Sequence, residues 1–268
     1  MTAPEADLSG WVAAPFTGGG YTHDVYRKGT GPGVVLIPEI PGAHPGVMGL
    51  GNHLVDNGFT VAIPSLFGVP GRAKTFGSIA AVSARACVAK EFAAFATNRQ
   101  RPVTAFLRAL ARDLKASTGG KGVGVIGQCF TGGFALAAAV DDSVLAPVLS
   151  QPSVPLPLGR TRRSDTGLSE AEMTTIAERA ANDGLCAMGL RFSEDWMSPR
   201  DRFTALKERL GDAFEVIELD SSPGNPDGYG KGAHAVLTAE VRTDPPNSAY
   251  AARERTVEFL REHLTATE

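Results

Sequence analysis

One stretch of the sequence combines a reactive side chain with the small residues that a tight turn requires. Cys129 follows an apolar run at residues 122–126, and an alanine-rich segment begins directly after it. Glycines stand at positions 127, 132 and 133 around it. A strand that turns sharply into a helix presents a nucleophile at the apex of the turn, and the helix N-terminus there favours a thiolate. The pattern predicts a nucleophile elbow that carries Cys129.

A cysteine nucleophile needs a general base, and His234 is the best-placed histidine. It lies in a glycine-rich loop between an apolar run at 214–219 and the last helical segment. The order nucleophile, acid, histidine is typical of folds with such an elbow. Asp195, which follows the preceding apolar run, is predicted to orient His234. Its neighbour Glu194 and the later Asp220 are the weaker alternatives.

The loop at residues 38–42 offers a second group of functional atoms. It contains Glu39 between prolines and follows the apolar run at 34–37. Ligands of open α/β sheets bind beyond the carboxyl ends of the strands, so Glu39 and Cys129 are expected to share one crevice. The backbone N–H groups of Ile40 and Phe130 are predicted to form an oxyanion hole.

Six short apolar runs separated by helical segments indicate the fold that positions these residues. Continuous apolar runs are typical of strands covered on both faces in a parallel sheet. Residues 11–16 and 23–27 are predicted to form an antiparallel pair at the sheet edge, and 151–167 a long surface loop. The predicted strands are 34–37, 60–64, 122–126, 146–150, 185–190 and 214–219, and the predicted helices are 45–57, 169–182, 199–210, 248–264 and one or two within 78–115, with a break at 101–102.

These elements predict an α/β protein with a mostly parallel, doubly wound sheet, helices on both faces and no separate cap domain. Residues 1–268 are interpreted as a single domain, because no linker or repeat interrupts the pattern. The formal net charge of −3 and the lack of basic runs argue against nucleic acid as a partner. No segment has the apolar length of a signal peptide core or a membrane span, which predicts a cytoplasmic protein without a membrane partner.

The sequence has three cysteines, so at least one thiol is unpaired. Cys87 and Cys186 lie within predicted elements and are interpreted as packing residues, which leaves Cys129 for chemistry. No His, Cys or Asp set has the spacing of a metal site, and no phosphate-binding loop is present. We therefore expect neither a metal nor an organic cofactor.

The Glu39 loop, the Cys129 elbow, Asp195 and His234, in this order, resemble the dienelactone hydrolase family of α/β hydrolases. The resemblance covers about residues 30–264. It implies a Cys-His-Asp triad that attacks an ester or lactone carbonyl, with oxyanion donors at Ile40 and Phe130. It also implies that Glu39 engages the resting thiol and helps to form the thiolate when substrate enters.

The sequence departs from the family pattern at the elbow and at the substrate site. Thr131 replaces a glycine, and its Cβ is expected to crowd the turn. Of two arginines that hold a substrate carboxylate in the family, one position is Thr238, with Arg242 the nearest arginine beyond it. The other falls near 85–90, which makes Arg85 a candidate. Phe67, Phe76, Trp196, Met197 and the 151–167 loop are expected to line the crevice.

The leading hypothesis is a cofactor-free hydrolase of small esters or lactones, acting on a substrate other than dienelactone. Two alternatives remain at this point. The same triad suits a thioesterase or acyltransferase, and a non-catalytic small-molecule binder could keep the fold. The expected partner is a small ester or lactone, and the chain is expected to be a monomer or a homodimer.

Overall fold

An eight-stranded, mostly parallel sheet lies at the centre of the structure. The structure is a computed structural model that describes residues 6–88, 92 and 102–265. The sheet order is β1-β2-β4-β3-β5-β6-β7-β8; β1 and β2 run antiparallel at one edge, and the other six strands are parallel. All six predicted strands and the predicted edge pair are confirmed. The strands are β1 (Val12–Gly18), β2 (Tyr21–Lys28), β3 (Gly33–Ile37), β4 (Thr60–Pro64), β5 (Val123–Gln128), β6 (Val144–Ser150), β7 (Ala187–Phe192) and β8 (Phe214–Leu219).

Helices cover both faces of the sheet, as the doubly wound α/β prediction requires. The first and last helices pack on one face, whereas the third, fourth, sixth and seventh pack on the other. Successive residues of β3 point to opposite cores: Val34 joins one cluster and Val35 the other. The helices are α1 (Pro45–Asp56), α2 (Phe76–Val88), α3 (Pro102–Thr118), α4 (Gly132–Ala138), α5 (Arg160–Arg163), α6 (Glu170–Asn182), α7 (Arg200–Leu210) and α8 (Ser248–Leu264).

Local capping explains where several helices begin. Ser169 caps α6, and Glu172 returns a bond to the Ser169 N–H, so this end is a capping box. Asn247 caps α8, where its side chain accepts from the N–H of Tyr250.

Between α2 and α3, residues 89–91 and 93–101 lie outside the described part of the chain. The middle of the segment 78–115, for which one or two helices are predicted, therefore lies outside the described residues. Within the described residues, no helix is both long and apolar enough to cross a bilayer.

Two predictions about local structure were wrong in detail. Strand β7 begins at Ala187 and not at 185, so Cys186 precedes the strand. The predicted surface loop 151–167 is buried over its first five residues and contains the short helix α5. The cause is Arg202 of α7, whose buried guanidinium donates to the carbonyl oxygens of Pro152, Pro155 and Asp165. This side chain satisfies backbone groups that a loop would otherwise present to water.

We expect Arg202→Leu to lower the free energy of unfolding by about 3 kcal/mol, because it leaves several buried carbonyl groups without donors. Urea unfolding followed by circular dichroism measures this. Arg163→Leu is the control, since Arg163 forms only a half-exposed ion pair with Asp201 and is expected to cost less than about 1 kcal/mol. Equal losses in the two variants would contradict the role given to Arg202.

Candidate active site

The turn after β5 has the predicted strand, turn and helix geometry. Cys129 follows the strand directly and has a φ of 51°, in the left-handed region that side chains rarely adopt. The glycines on either side of Cys129 are required because a side chain at either position would clash with the backbone. A Cβ at Gly127 would lie 2.3 Å from the carbonyl oxygen of Thr131, and one at Gly132 would lie 2.6 Å from Cα of Pro152. The elbow therefore depends on both glycines.

Thr131 does not crowd the turn, contrary to the expectation from the sequence. Its backbone lies in the right-handed region, with φ −96° and ψ −2°, and its side chain is buried without a positive φ. Its buried hydroxyl accepts from the N–H of Gln128 at 3.0 Å and lies 2.9 Å from the Gln128 carbonyl oxygen. It also lies 3.2 Å from the carbonyl oxygen of Pro38. Thr131 therefore ties the elbow to the chain that leaves β3.

The predicted acid and histidine meet in the structure. His234 Nδ1 lies 2.7 Å from Asp195 Oδ2, and Asp195 is buried. The other carboxylate oxygen of Asp195 accepts from the N–H of Met197 at 3.0 Å, which fixes the side chain. The two weaker candidates are both exposed, Glu194 beside Asp195 and Asp220 after β8. Only Asp195 of the three contacts His234.

The surroundings of His234 favour its charged form. Burial disfavours the charged imidazole, but the hydrogen bond with Asp195 and the adjacent Cys129 outweigh burial and raise the pKa of His234 to about 10. Because a carboxylate only accepts hydrogen bonds, Asp195 holds the Nδ1–H tautomer and leaves Nε2 for the reacting atoms. The arrangement favours the protonated imidazole of His234.

Glu39 is buried at the same sheet edge, but its hydrogen bonds are with residues other than Cys129. Its Oε1 accepts from Lys74 Nζ at 2.7 Å, from His44 Nε2 at 3.0 Å and from Thr238 Oγ1 at 3.0 Å. Burial alone would raise the pKa of Glu39, but the hydrogen bond from His44 and the charge and hydrogen bond of Lys74 outweigh burial and hold this pKa at about 2. Glu39 is therefore a carboxylate throughout the physiological range.

The tautomer of His44 follows from its second contact. Its Nδ1 accepts from the N–H of Gly46 at 3.0 Å, where His44 caps helix α1. A nitrogen that accepts carries no proton, so the proton of the neutral ring is on Nε2, which donates to Glu39.

The sulfur of Cys129 contacts a residue that the sequence did not indicate. Ser153 Oγ lies 3.2 Å from Cys129 Sγ, and the Ser153 N–H donates to the Cys129 carbonyl oxygen at 3.0 Å. Within the described residues, the hydrogen-bond partner of the sulfur is thus a serine, whereas the family resemblance implies Glu39 in that position.

The predicted oxyanion donors flank the elbow. Ile40 follows Glu39 in the loop after β3, and Phe130 follows Cys129. Among the described residues, neither backbone N–H donates to a backbone carbonyl outside the helices and strands. The Thr131 hydroxyl, 3.2 Å from Pro38, connects the two loops that carry them.

A cavity of about 470 Å³ opens beside the loop after β3, and its lining includes none of Cys129, Ser153, Asp195 and His234. Two of the proposed substrate residues, Phe67 and Arg85, lie in its wall, together with Arg72. Phe67 and Phe92 pack their ring edges against Phe130, so the cavity wall is continuous with the elbow. The other expected lining residues do not border this cavity: Phe76 and Trp196 are mostly exposed, and Met197 is half-buried.

Of the other two cysteines, the structure describes the side chain of Cys186. Cys186 is half-buried, and burial raises the pKa of its thiol, as expected for a packing residue. The side chain of Cys87 lies outside the described residues. A search of the described residues for three or more His, Cys, Asp or Glu side chains that could hold a metal ion found none.

Three polar residues at the site escaped the sequence reasoning: His44, Lys74 and Ser153. Each lies in a loop beyond the carboxyl end of a parallel strand, which are β3, β4 and β6 respectively. The same positional rule that selected Glu39 would have included them. Nothing in the sequence distinguishes these three residues from the other polar residues of the same loops.

The sequence was compared with models of known protein families. Residues 22–264 match the model of the dienelactone hydrolase family. The chain belongs to the dienelactone hydrolase family. It is an α/β hydrolase, and the resemblance stated from its motifs is confirmed. A comparison with curated protein sequences gives no match.

Several solved structures have folds similar to that of this chain. Their sequence identities to it are low, so the similarity shows the fold and nothing further. A Klebsiella pneumoniae subsp. pneumoniae MGH 78578 protein, provisionally named a dienelactone hydrolase, is 17% identical, with a TM-score of 0.61 over 94% of this chain and 99% of that chain. The dienelactone hydrolase-like promiscuous phosphotriesterase P91 from metagenomic libraries is 17% identical, with a TM-score of 0.60 over 95% and 98%. The dienelactone hydrolase of Anabaena variabilis ATCC 29413 is 14% identical, with a TM-score of 0.59 over 95% and 98%.

The lowered pKa of Glu39 predicts a specific loss of stability in acid. A carboxylate whose pKa falls on folding, here to about 2 from an ordinary 4.5, stabilises the fold above the higher value and loses this contribution as the pH drops toward the lower one. Between about pH 5 and pH 2, we expect the unfolding free energy of the wild type to fall about 3 kcal/mol more than that of Glu39→Gln.

Urea unfolding at several pH values measures the difference. Glu258→Gln, at a mostly exposed carboxylate, is the control and should follow the wild type. Parallel curves for the wild type and Glu39→Gln would show that Glu39 has no such role.

Proposed function

We propose that this protein hydrolyses small carboxylic esters or lactones through an acyl-cysteine intermediate. The observation that carries the proposal is the pairing of His234 with Asp195 at 2.7 Å beside the Cys129 elbow. A nucleophile, a base and a group that orients the base are the three parts that this chemistry needs. The N–H groups of Ile40 and Phe130 complete the set as oxyanion donors.

Acylation begins with Cys129 as a thiolate and His234 as an imidazolium. The sulfur attacks the ester carbonyl carbon, and the carbonyl oxygen takes the negative charge between the N–H groups of Ile40 and Phe130. When the tetrahedral intermediate collapses, the bond to the alcohol oxygen breaks and His234 gives this oxygen its proton. The products are an alcohol and a thioester on Cys129. In a lactone, the alcohol stays attached to the acyl group.

Deacylation returns the enzyme to its resting form. His234, now neutral, takes a proton from a water molecule as the water oxygen attacks the thioester carbonyl. The same two N–H groups hold the second oxyanion. Collapse of this intermediate breaks the carbon–sulfur bond, releases the acid and restores the thiolate beside the imidazolium. Asp195 keeps the ring oriented and stabilises its charge in both half-reactions.

The 470 Å³ cavity supports a small substrate. Its wall is mainly apolar, with the ring of Phe67 on one side, so it suits a compact apolar acyl or alcohol group. Arg85 offers a charge-assisted hydrogen bond to an anionic substituent. Thr238 occupies the position at which the founding family members have a second arginine, and its hydroxyl donates a hydrogen bond to Glu39. We therefore propose a substrate other than dienelactone itself.

Cys129→Ala is expected to reduce turnover of an activated phenyl ester by at least about 10³-fold, because the covalent route is lost. Cys186→Ala should retain wild-type turnover and is the matched control. Release of nitrophenol measures both rates. Near-wild-type turnover by Cys129→Ala would end the assignment of the nucleophile. Parallel assays with an acyl-CoA, with and without an added amine, distinguish ester hydrolysis from thioester hydrolysis and acyl transfer.

Asp195→Asn is expected to lower kcat by about 10²-fold and to move the alkaline limb of the pH profile to lower pH. The reason is that the carboxylate contributes to the raised pKa of His234, which should fall when the charge is removed. Glu194→Gln changes the neighbouring exposed carboxylate and should leave both rate and profile unaltered. An unchanged alkaline limb in Asp195→Asn would contradict the role given to the pair.

A further inference from the structure

The contact between Ser153 and the sulfur of Cys129 points to an additional participant in the reaction. We propose that Ser153 is a catalytic residue whose hydroxyl donates a hydrogen bond to the Cys129 thiolate, both in the resting enzyme and when the thioester is cleaved. This inference rests on the proposed function, because it takes Cys129 as the nucleophile. The direct observation is the distance of 3.2 Å between Ser153 Oγ and Cys129 Sγ.

The position of Ser153 is held by backbone contacts on both sides. Its own N–H donates to the Cys129 carbonyl oxygen at 3.0 Å, so serine and cysteine are joined through main chain and side chain. The N–H of Gln151 donates to the carbonyl oxygen of Leu190 at 2.7 Å, which attaches the segment to β7. Arg202 binds the carbonyl groups of Pro152 and Pro155. The hydroxyl is thus placed by a fixed segment and not by a mobile loop.

The hydroxyl of Ser153 is well suited to a sulfur anion. Ser153 is only 4% exposed, so water competes weakly for its proton. A neutral thiol is a weak acceptor, whereas a hydrogen bond to a charged acceptor is roughly twice as strong as a neutral one. The contact therefore stabilises the thiolate more than the thiol.

The charged groups near the sulfur divide into two sets. Cys129 contributes to the raised pKa of His234, and Asp195 contacts the Nδ1 side of the ring; among the described residues, Nε2 of His234 has no hydrogen-bond partner. Glu39 and Lys74 come from the loops after β3 and β4 and are bonded to each other at 2.7 Å. Among the described residues, neither of these two donates to or accepts from the sulfur. Among the described residues, Ser153 is therefore the hydrogen-bond donor to the sulfur.

The same hydrogen bond serves the two half-reactions differently. During acylation the sulfur lone pair forms the new bond to carbon, so the hydrogen bond from Ser153 weakens as the thioester forms. During deacylation the carbon–sulfur bond breaks and the electron pair returns to sulfur, where the Ser153 hydroxyl stabilises the leaving thiolate. Ser153 keeps its own proton throughout, because His234 carries out both proton transfers. Removing the hydroxyl should therefore slow thioester hydrolysis as well as raise the pH of thiol ionisation.

The experiment measures the rate of alkylation of Cys129 by iodoacetamide as a function of pH, with Cys129→Ala as the baseline for the other two thiols. Ser153→Ala is expected to move the midpoint upward by about one pH unit, which lowers the thiolate fraction below the midpoint. The alkylation rate there should fall only several-fold, because the more basic thiolate is intrinsically more nucleophilic and offsets part of this loss. Single-turnover assays should show deacylation slowed about tenfold. Ser143→Ala, at a buried serine at the start of β6, is the matched control and should behave as the wild type.

A second pair of variants keeps the test decisive if Ser153→Ala does not fold. Ser153→Thr retains the hydroxyl and Ser153→Val replaces it by a methyl group of similar size, so the two share any steric cost. We expect the threonine variant to keep the wild-type midpoint and the valine variant to lose it. An unchanged midpoint on removal of the hydroxyl would overturn the proposal for Ser153. Retained turnover in Cys129→Ala would instead overturn the proposed function, so the two failures are distinguishable.

Discussion

The site depends on a single backbone constraint, which is the left-handed conformation of Cys129 between β5 and α4. Such a conformation costs free energy for a side chain other than glycine, and it persists only where the surroundings enforce it. Gly127 lets the chain turn back on itself, and Gly132 lets α4 approach the segment that carries Ser153. The result is a half-buried cysteine at the sheet edge with a helix directly behind it. Every other contact of the site is arranged around this point.

Loops from five strands then meet at the carboxyl edge of the sheet. Thr131 joins the elbow to the loop after β3, and Ser153 joins it to the segment after β6. Asp195 after β7 and His234 after β8 complete the arrangement. The Glu39 carboxylate holds the loops after β3, β4 and β8 together through its three donors and does not contact the sulfur. The two acidic residues of the site thus have separate tasks, one on the histidine and one on the loops.

The sequence was sufficient to predict the sheet, the turn at Cys129 and the contact between Asp195 and His234, because each of these is encoded by short-range pattern and chain order. Continuous apolar runs identified the strands, and the glycine spacing identified the elbow. The contacts of Ser153 and Lys74 could not be predicted in this way, since they join loops that are far apart in the chain. Arg202 was missed because an arginine on a helix is ordinarily solvated, whereas here the carbonyl groups of a folded-back loop bury it. Thr131 was misjudged because its Cβ was considered without the hydrogen bonds that its hydroxyl forms with the backbone at Gln128 and Pro38.

The central claim is that an acyl group passes through the sulfur of Cys129. The most direct test is mass spectrometry of the protein quenched during turnover of p-nitrophenyl acetate, followed by peptide mapping. The account predicts an acetyl group on the peptide that contains Cys129, present in the wild type, longer-lived in His234→Ala and absent in Cys129→Ala. Turnover without an adduct on Cys129, or with an adduct on another residue that follows the kinetics of turnover, would contradict it.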